Sequence, residues 1–161
     1  MANIGRIVSN AQQNITGSKL TIYCNGRFNY HQAGLGVWAF IVKDRKGSIR
    51  AEGCGFCDNR IDVSHIDAEY RAVIEGLHWA IANAKGASVE VCTSLELIEK
   101  QVSGSWKVKK VKLLPLCNEI KTLLEKANAT LRWIPIHQNR LAHLLSLGAN
   151  CIEREGVAAA L

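Results

Sequence analysis

The chain has 161 residues, 48% of them hydrophobic and 21% charged, with a formal net charge of +6, the balance of a single soluble globular domain rather than a disordered or low-complexity chain. No apolar run approaches the ~18 residues of a transmembrane helix, and the N-terminal MANIGRIVSNAQQNITGSK lacks the apolar centre of a secretory signal, so an intracellular and most simply cytoplasmic protein, without a membrane, is expected. The charge permits a polyanionic partner without requiring one.

Residues 1–18 are polar and aperiodic, the pattern of a flexible tail. KLTIYCNG then reads as a strand running into a glycine turn at Gly26. GLGVWAFIVKD is a longer apolar strand and SIRAEGCGFCD a third; DRKG, Asp44 to Gly47, joins these two with hairpin chemistry, which makes an antiparallel meander. From Ser64 the apolar period lengthens from two to 3.6. Ile66, Tyr70, Val73, Ile74, Leu77, Ile81 and Ala84 fall on one helical face, Ser64 with Asp67 makes a capping pair, and Gly86 is a terminator. SVEVCTS is a fourth strand, LELIEKQV a short helix closed by Gly104, and LLPLCNEIKTLLEKAN a further helix. TLRWIPI supplies a fifth strand and NRLAHLLSLGANCIERE a last helix.

The order, three strands and then helix, strand, helix, strand, helix, predicts an α/β domain over residues 19–155, followed by a short tail at 156–161. Its sheet is mixed and five-stranded, because helical crossovers bring the fourth and fifth strands in parallel, with helices on both faces. A ligand site is expected beyond the strand ends, where the strand order switches. Six cysteines, Cys24, Cys54, Cys57, Cys92, Cys117 and Cys151, sit mostly in apolar segments and are expected as reduced, buried thiols. CGFC at Cys54 to Cys57 has metal or redox spacing, but no second cysteine pair answers it. The glycosylation patterns at Asn14 and Asn128 carry no weight without a secretory route.

Several strings in this order, AEYRAVIEGLHWAI, QVSGSWKVK followed by LLPLCNEI, and WIPIHQNRLAHLLSLGA, with weaker support from YCNG and AGLG, resemble the ribonuclease H family in its reverse-transcriptase-like branch over about Leu20 to Glu155. The resemblance implies a ribonuclease H-like fold. In that family four carboxylates hold two Mg²⁺ ions that hydrolyse the RNA strand of an RNA–DNA hybrid. Carried onto this chain, those carboxylates fall on Asn25, Glu69, Thr93 and His143, so only Glu69 keeps its charge. Hard cations need anionic oxygen, which Asn25 and Thr93 do not supply, and a histidine suits zinc rather than magnesium. Glu90 points to the opposite sheet face from Thr93, while Asp58, Asp62 and Asp67 are badly placed to substitute.

The resemblance therefore implies a ribonuclease H-like domain with a degenerate site and no intact catalytic set. It needs no cofactor and binds nucleic acid, RNA or an RNA–DNA hybrid, without cleaving it. Trp106 with Lys107, Lys109, Lys110 and Lys112 is the candidate contact, lysines for phosphates and the aromatic for a sugar or base; the alternative is a solvated loop whose tryptophan belongs to the core. Glu69 is expected to hydrogen-bond Asn25 or Thr93 in a relic polar network. Three alternatives stay open. A protein-interaction or scaffold subunit would use the leucine-rich last helix and the GVAAAL tail, a ribonuclease with a rearranged site would need Mg²⁺, and a zinc site would join Glu69 and His143 to Cys24 or Cys92, which strand alternation opposes.

Overall fold

Leu20, Ile22 and Cys24 alternate with Thr21, Tyr23 and Asn25 along β2 (Lys19–Asn29), so one set of side chains faces each side of the sheet. In this computed structural model, residues 5–9, 15–29, 35–57 and 63–147 are described. β2 pairs antiparallel with β3 (Leu35–Asp44), and β3 with β4 (Ile49–Phe56), which is the expected meander. Its hairpin closes at Asp44, whose Oδ1 accepts from the N–H groups of Lys46 (2.9 Å) and Ser48 (3.0 Å), and Gly47 takes the positive φ of 82° that the turn requires. On the other side of β2, β5 (Ser88–Thr93) and then β6 (Ala129–Trp133) add in parallel.

Among the described residues the sheet has six strands rather than five, in the order β1-β4-β3-β2-β5-β6. The additional strand, β1 (Gly5–Ser9), lies in the segment expected as a flexible tail and pairs antiparallel with β4. It was not legible because backbone groups hold it: an edge strand satisfies the N–H and C=O groups of its neighbour without burying a face. Ile7 and Val8 are 50% and 39% exposed, so no apolar alternation was needed there.

A second difference lies at Gly26. β2 does not turn there but runs on to Asn29. The glycine instead admits the backbone of α1 (His65–Asn83): a Cβ at Gly26 would stand 2.1 Å from the carbonyl carbon of Ala68 and 2.1 Å from the nitrogen of Glu69. α1 begins with the expected capping box, Ser64 Oγ accepting from the Asp67 N–H and Asp67 Oδ2 from the Ser64 N–H at 2.8 Å. Its buried surface is wider than one stripe. Ala68, Ala72, Gly76 and Ala80 are buried along with Tyr70, Ile74 and Leu77, whereas Ile81, expected inside, is 38% exposed. The helix is covered on two sides, by the sheet and by α3 (Leu114–Ala127), and small residues let it lie close to both.

α1, α2 (Glu96–Val102) and α3 share one face of the sheet over a core of Leu20, Ile22, Cys24, Trp38, Phe40 and Ile98. α4 (Arg140–Leu147) lies on the other face, where Leu145 joins Val37, Ala39, Ile41 and Cys54. Cys24, Cys57, Cys92 and Cys117 are buried and reduced. Cys54 departs from the expectation of six reduced cysteines, because it is disulfide-bonded; sequence spacing does not tell which segments approach within S–S reach. His31, Asp58, Asp62, Cys151, the end of the last helix and GVAAAL lie outside the described residues.

Candidate functional site

At the carboxyl ends of β2 and β5, by the strand-order switch, Thr93 pairs with Cys24 and so faces α1, Asn25 one residue on faces α4, and the close contact at Gly26 brings Glu69 of α1 to these strand ends. Glu69 is 1% exposed. Its Oε2 accepts from the Gly26 N–H, while its Oε1 accepts from Thr93 Oγ1 (2.9 Å), the Ser94 N–H (3.2 Å) and Ser94 Oγ (3.3 Å). Asn25 is 2% exposed and makes no direct hydrogen bond to Glu69. Its Nδ2 donates to Ser94 Oγ (3.0 Å) and its Oδ1 accepts from Ser146 Oγ of α4 (2.7 Å). The result is one connected chain, Ser146 to Asn25 to Ser94 to Glu69, with Thr93 on the same carboxylate.

Asn25, Glu69 and Thr93 are thus brought together, and His143 enters differently. Its backbone C=O lies 2.7 Å from Ser146 Oγ and competes with Asn25 Oδ1 for that hydroxyl's single proton, and its half-buried ring makes no hydrogen bond or ion pair among the described residues. Ser146, three residues on and so on the same helical face, supplies the side chain instead. Sequence reasoning missed Ser94 and Ser146. Ser94 lies one residue beyond the Cys24–Thr93 pair, as Asn25 does, and from the end of β5 its hydroxyl reaches both Asn25 and Glu69.

Burial pushes the Glu69 carboxyl up to about 7, against the hydrogen bonds from Gly26, Thr93 and Ser94, which favour the charged form. Two Mg²⁺ ions do not fit this donor set. One carboxylate cannot offset the repulsion of two divalent ions, and its oxygens already serve four donors. Among the described residues no group of three or more His, Cys, Asp or Glu side chains could hold a metal ion. The zinc arrangement fails at its cysteines: Cys24 is in the core under α1, and Cys92 Sγ faces the Arg132 guanidinium at 3.8 Å.

The lysine segment forms a second feature. Between α2 and α3, Trp106, Lys107, Lys109 and Lys110 wall a surface groove of about 610 Å³ floored by Ile66, Leu97 and Leu113. Trp106 is 48% exposed and the three lysines are exposed, so the tryptophan is not a core residue. Lys112 is committed elsewhere, its Nζ 3.1 Å from Asp67 Oδ2. Burial raises the Asp67 carboxyl, but hydrogen bonds from Ser64 and Lys112 hold it below the usual range, so the cap stays charged.

Residues 23–149 match the family described as reverse transcriptase-like. Among solved structures, the chain is similar to the N-terminal RNase H domain of rv2228c from Mycobacterium tuberculosis, at 24% identity over 88% of this chain and 99% of that one, with a TM-score of 0.72. RNase H1 from the halophilic archaeon Halobacterium salinarum NRC-1 is similar at 24% identity, over 81% and 96%, with a TM-score of 0.69. LC11-RNase H1, isolated from compost by a metagenomic approach and solved in complex with RNA/DNA hybrid, is similar at 25% identity, over 81% and 95%, with a TM-score of 0.70.

Proposed function

This chain belongs to the reverse transcriptase-like family and has the ribonuclease H fold, and on that premise we propose that it binds RNA or an RNA–DNA hybrid without hydrolysing it. One observation carries the reading: the single carboxylate at the strand ends is buried and occupied by four donors from Gly26, Thr93 and Ser94. Activation of water by two ions needs several converging anionic oxygens free to coordinate, and here the partners are an amide and hydroxyls. Binding is supported by the groove beside Trp106, where three exposed lysines stand ready for phosphates and an exposed indole for a sugar or base. LC11-RNase H1, solved with RNA/DNA hybrid, adds support by similarity. Contacts of this kind read backbone shape rather than base sequence.

The test is incubation of a labelled RNA–DNA hybrid with the purified chain in Mg²⁺ or Mn²⁺. No cleavage is expected. Specific cleavage that disappears in Glu69→Gln would overturn the reading and favour a ribonuclease with a rearranged site.

A second reading, a protein-interaction subunit, is favoured by α4, where Leu141, Leu144 and Leu147 are exposed at spacings of three, with Ile136 before them. Absence of any nucleic-acid binding at low salt would favour it. Among the described residues no helix is long and apolar enough to cross a membrane.

A further inference from the structure

The chain leaves α2 at Ser103 and turns at Gly104, whose φ of 82° is the left-handed conformation that glycine adopts without strain. Backbone bonds fix the turn, the Gly104 N–H donating to the Gln101 C=O (3.2 Å) and the Trp106 N–H to the Lys100 C=O (3.0 Å). Trp106 is thereby held at the end of α2 while its side chain stays 48% exposed. Farther along, Lys112 Nζ on Asp67 Oδ2 ties the turn Val111–Leu113 to the start of α1. Both banks of the groove of about 610 Å³ are thus anchored before anything binds, which lowers the ordering cost of binding.

The floor is apolar except at one place. Ile66, Leu97 and Leu113 supply carbon, and beside them stands Gln101, one helical turn on from Leu97 along α2 and only 6% exposed. Gln101 Oε1 accepts from the Tyr70 hydroxyl in the buried contact between α2 and α1. Its NH₂ group donates to nothing among the described residues, and it is not one of the unpartnered atoms sealed from solvent there, which are Trp38 Nε1, Trp79 Nε1 and Asn139 Oδ1. The groove is the described cavity that Gln101 lines, so this donor is presented to its occupant.

Each part of the groove narrows the choice of occupant. Lys107, Lys109 and Lys110 have no ion-pair partner among the described residues, and no acidic side chain among them lines the groove, so a polyanion is favoured. A paired duplex turns its phosphates and sugars outward and would leave the apolar floor uncovered. A phenyl or aliphatic side chain of an acidic peptide would cover the floor but bury the Gln101 NH₂ group without an acceptor. A nucleobase taken out of its stack meets both demands, because its faces lie against Trp106 and the leucines while its edge carries carbonyl or ring-nitrogen acceptors. The volume falls within the ~300–1,000 Å³ of cavities that hold a small ligand, room for a base with its sugar.

We propose that the groove takes one unpaired nucleotide of a nucleic-acid strand, its base between Trp106 and the floor of Leu97 and Leu113 with an edge acceptor on the Gln101 NH₂ group, and its flanking phosphates on Lys107, Lys109 and Lys110. The site deepens the nucleic-acid reading above and rests on it. It narrows the ligand to a strand with a base out of the stack, at a bulge, a loop or an open end, rather than a continuous duplex. Gln101 is then the residue that separates a base from an apolar side chain.

Fluorescence anisotropy at low salt is measured with two labelled RNA duplexes that carry a single-nucleotide bulge, one with its base and one abasic at that nucleotide. Phosphates and flexibility are the same in both, so the ratio of affinities reads the base alone. The natural chain should bind the duplex with the base about tenfold more tightly, the range of one stacked base. Trp106→Ala should erase that difference and leave the salt dependence unchanged, whereas Trp106→Phe should keep most of it. Gln101→Glu, which still accepts from Tyr70 but no longer donates, should reduce the ratio by about threefold. Melting curves establish that each variant is folded. A peptide of alternating Glu and Phe should displace the bulged RNA only at far higher concentration than the unlabelled RNA does. Equal binding of the two duplexes, or a ratio that survives Trp106→Ala, would overturn the base site while leaving nucleic-acid binding intact. Displacement by the peptide at the same concentration as the RNA would make the groove a peptide site instead. Binding of neither duplex would remove the base site and the nucleic-acid reading together.

Discussion

Glu69 is the residue on which the chemistry of this fold turns, and its burial has a measurable cost. Its folded-state pKa of about 7, against an ordinary 4.5, means that the folded chain keeps this proton over a range where the unfolded chain has lost it. Between about pH 4.5 and 7 the folded state therefore binds more protons, and stability falls as pH rises through that window. The contribution is full below 4.5, lost by about 7, and of order 3 kcal/mol at roughly 1.4 kcal/mol per pKa unit. Glu69→Gln should flatten this part of the pH profile, measured as the denaturant midpoint from pH 4.5 to 8. The variant should still be less stable than the natural chain at low pH. Its NH₂ group would face either the Gly26 N–H or the hydroxyls of Thr93 and Ser94, leaving at least one donor unmatched. A wild-type profile that rises over the same window would contradict this account of Glu69.

At the scale of elements, the contact between β2 and α1 decides whether the site exists at all. Without a side chain at Gly26, the helix backbone comes close enough for the Gly26 N–H to reach Glu69 Oε2. Gly26→Ala places a methyl on Ala68 and Glu69 backbone atoms, which cannot rotate aside, and should destabilise the chain by about 3 kcal/mol or more. Gly47→Ala is the control. That glycine also needs its conformation, with φ of 82°, but meets nothing within 4 Å, so the cost should stay near 1 kcal/mol. Thermal or urea unfolding of both variants checks the order. Gly47→Ala costing as much as Gly26→Ala would mean that strain, not helix–strand approach, fixes these glycines.

For the whole molecule, the net charge of +6 raises the question whether binding follows from overall attraction or from the groove at Trp106. Reversing Lys107, Lys109 and Lys110 to Glu removes two charges at each position and takes the net charge to zero. Reversing Lys85, Lys121 and Lys126, which lie at the ends and outer face of α1 and α3, does the same elsewhere. The first variant should lose RNA–DNA hybrid binding and flatten the dependence of log K on log salt by ~0.7–0.9 for each phosphate no longer neutralised. The second should keep the slope and lose only modest affinity. Identical effects would mean that the groove has no special part in binding. Lys112 is left out because its charge holds the α1 cap through Asp67.

The order of elements from β2 onward was written in the sequence, because each has its own local signal: an unbroken apolar run in β3, alternation at the start of β5, the capping pair at Ser64 and Asp67, the terminator Gly86 after α1. Asn25, Thr93 and His143 are residue identities read directly from the sequence, whereas their assignment to the family's carboxylate positions rests on the resemblance. β1 was not written there, because an edge strand held by backbone pairing and exposed on both faces leaves no periodic trace. Nor was the bridge through Ser94 and Ser146, or the commitment of Lys112 to Asp67, which is 45 residues away. Local periodicity fixes what a segment becomes; which polar atoms meet depends on how closely β2, α1 and α4 pack, and that distance exists only in three dimensions.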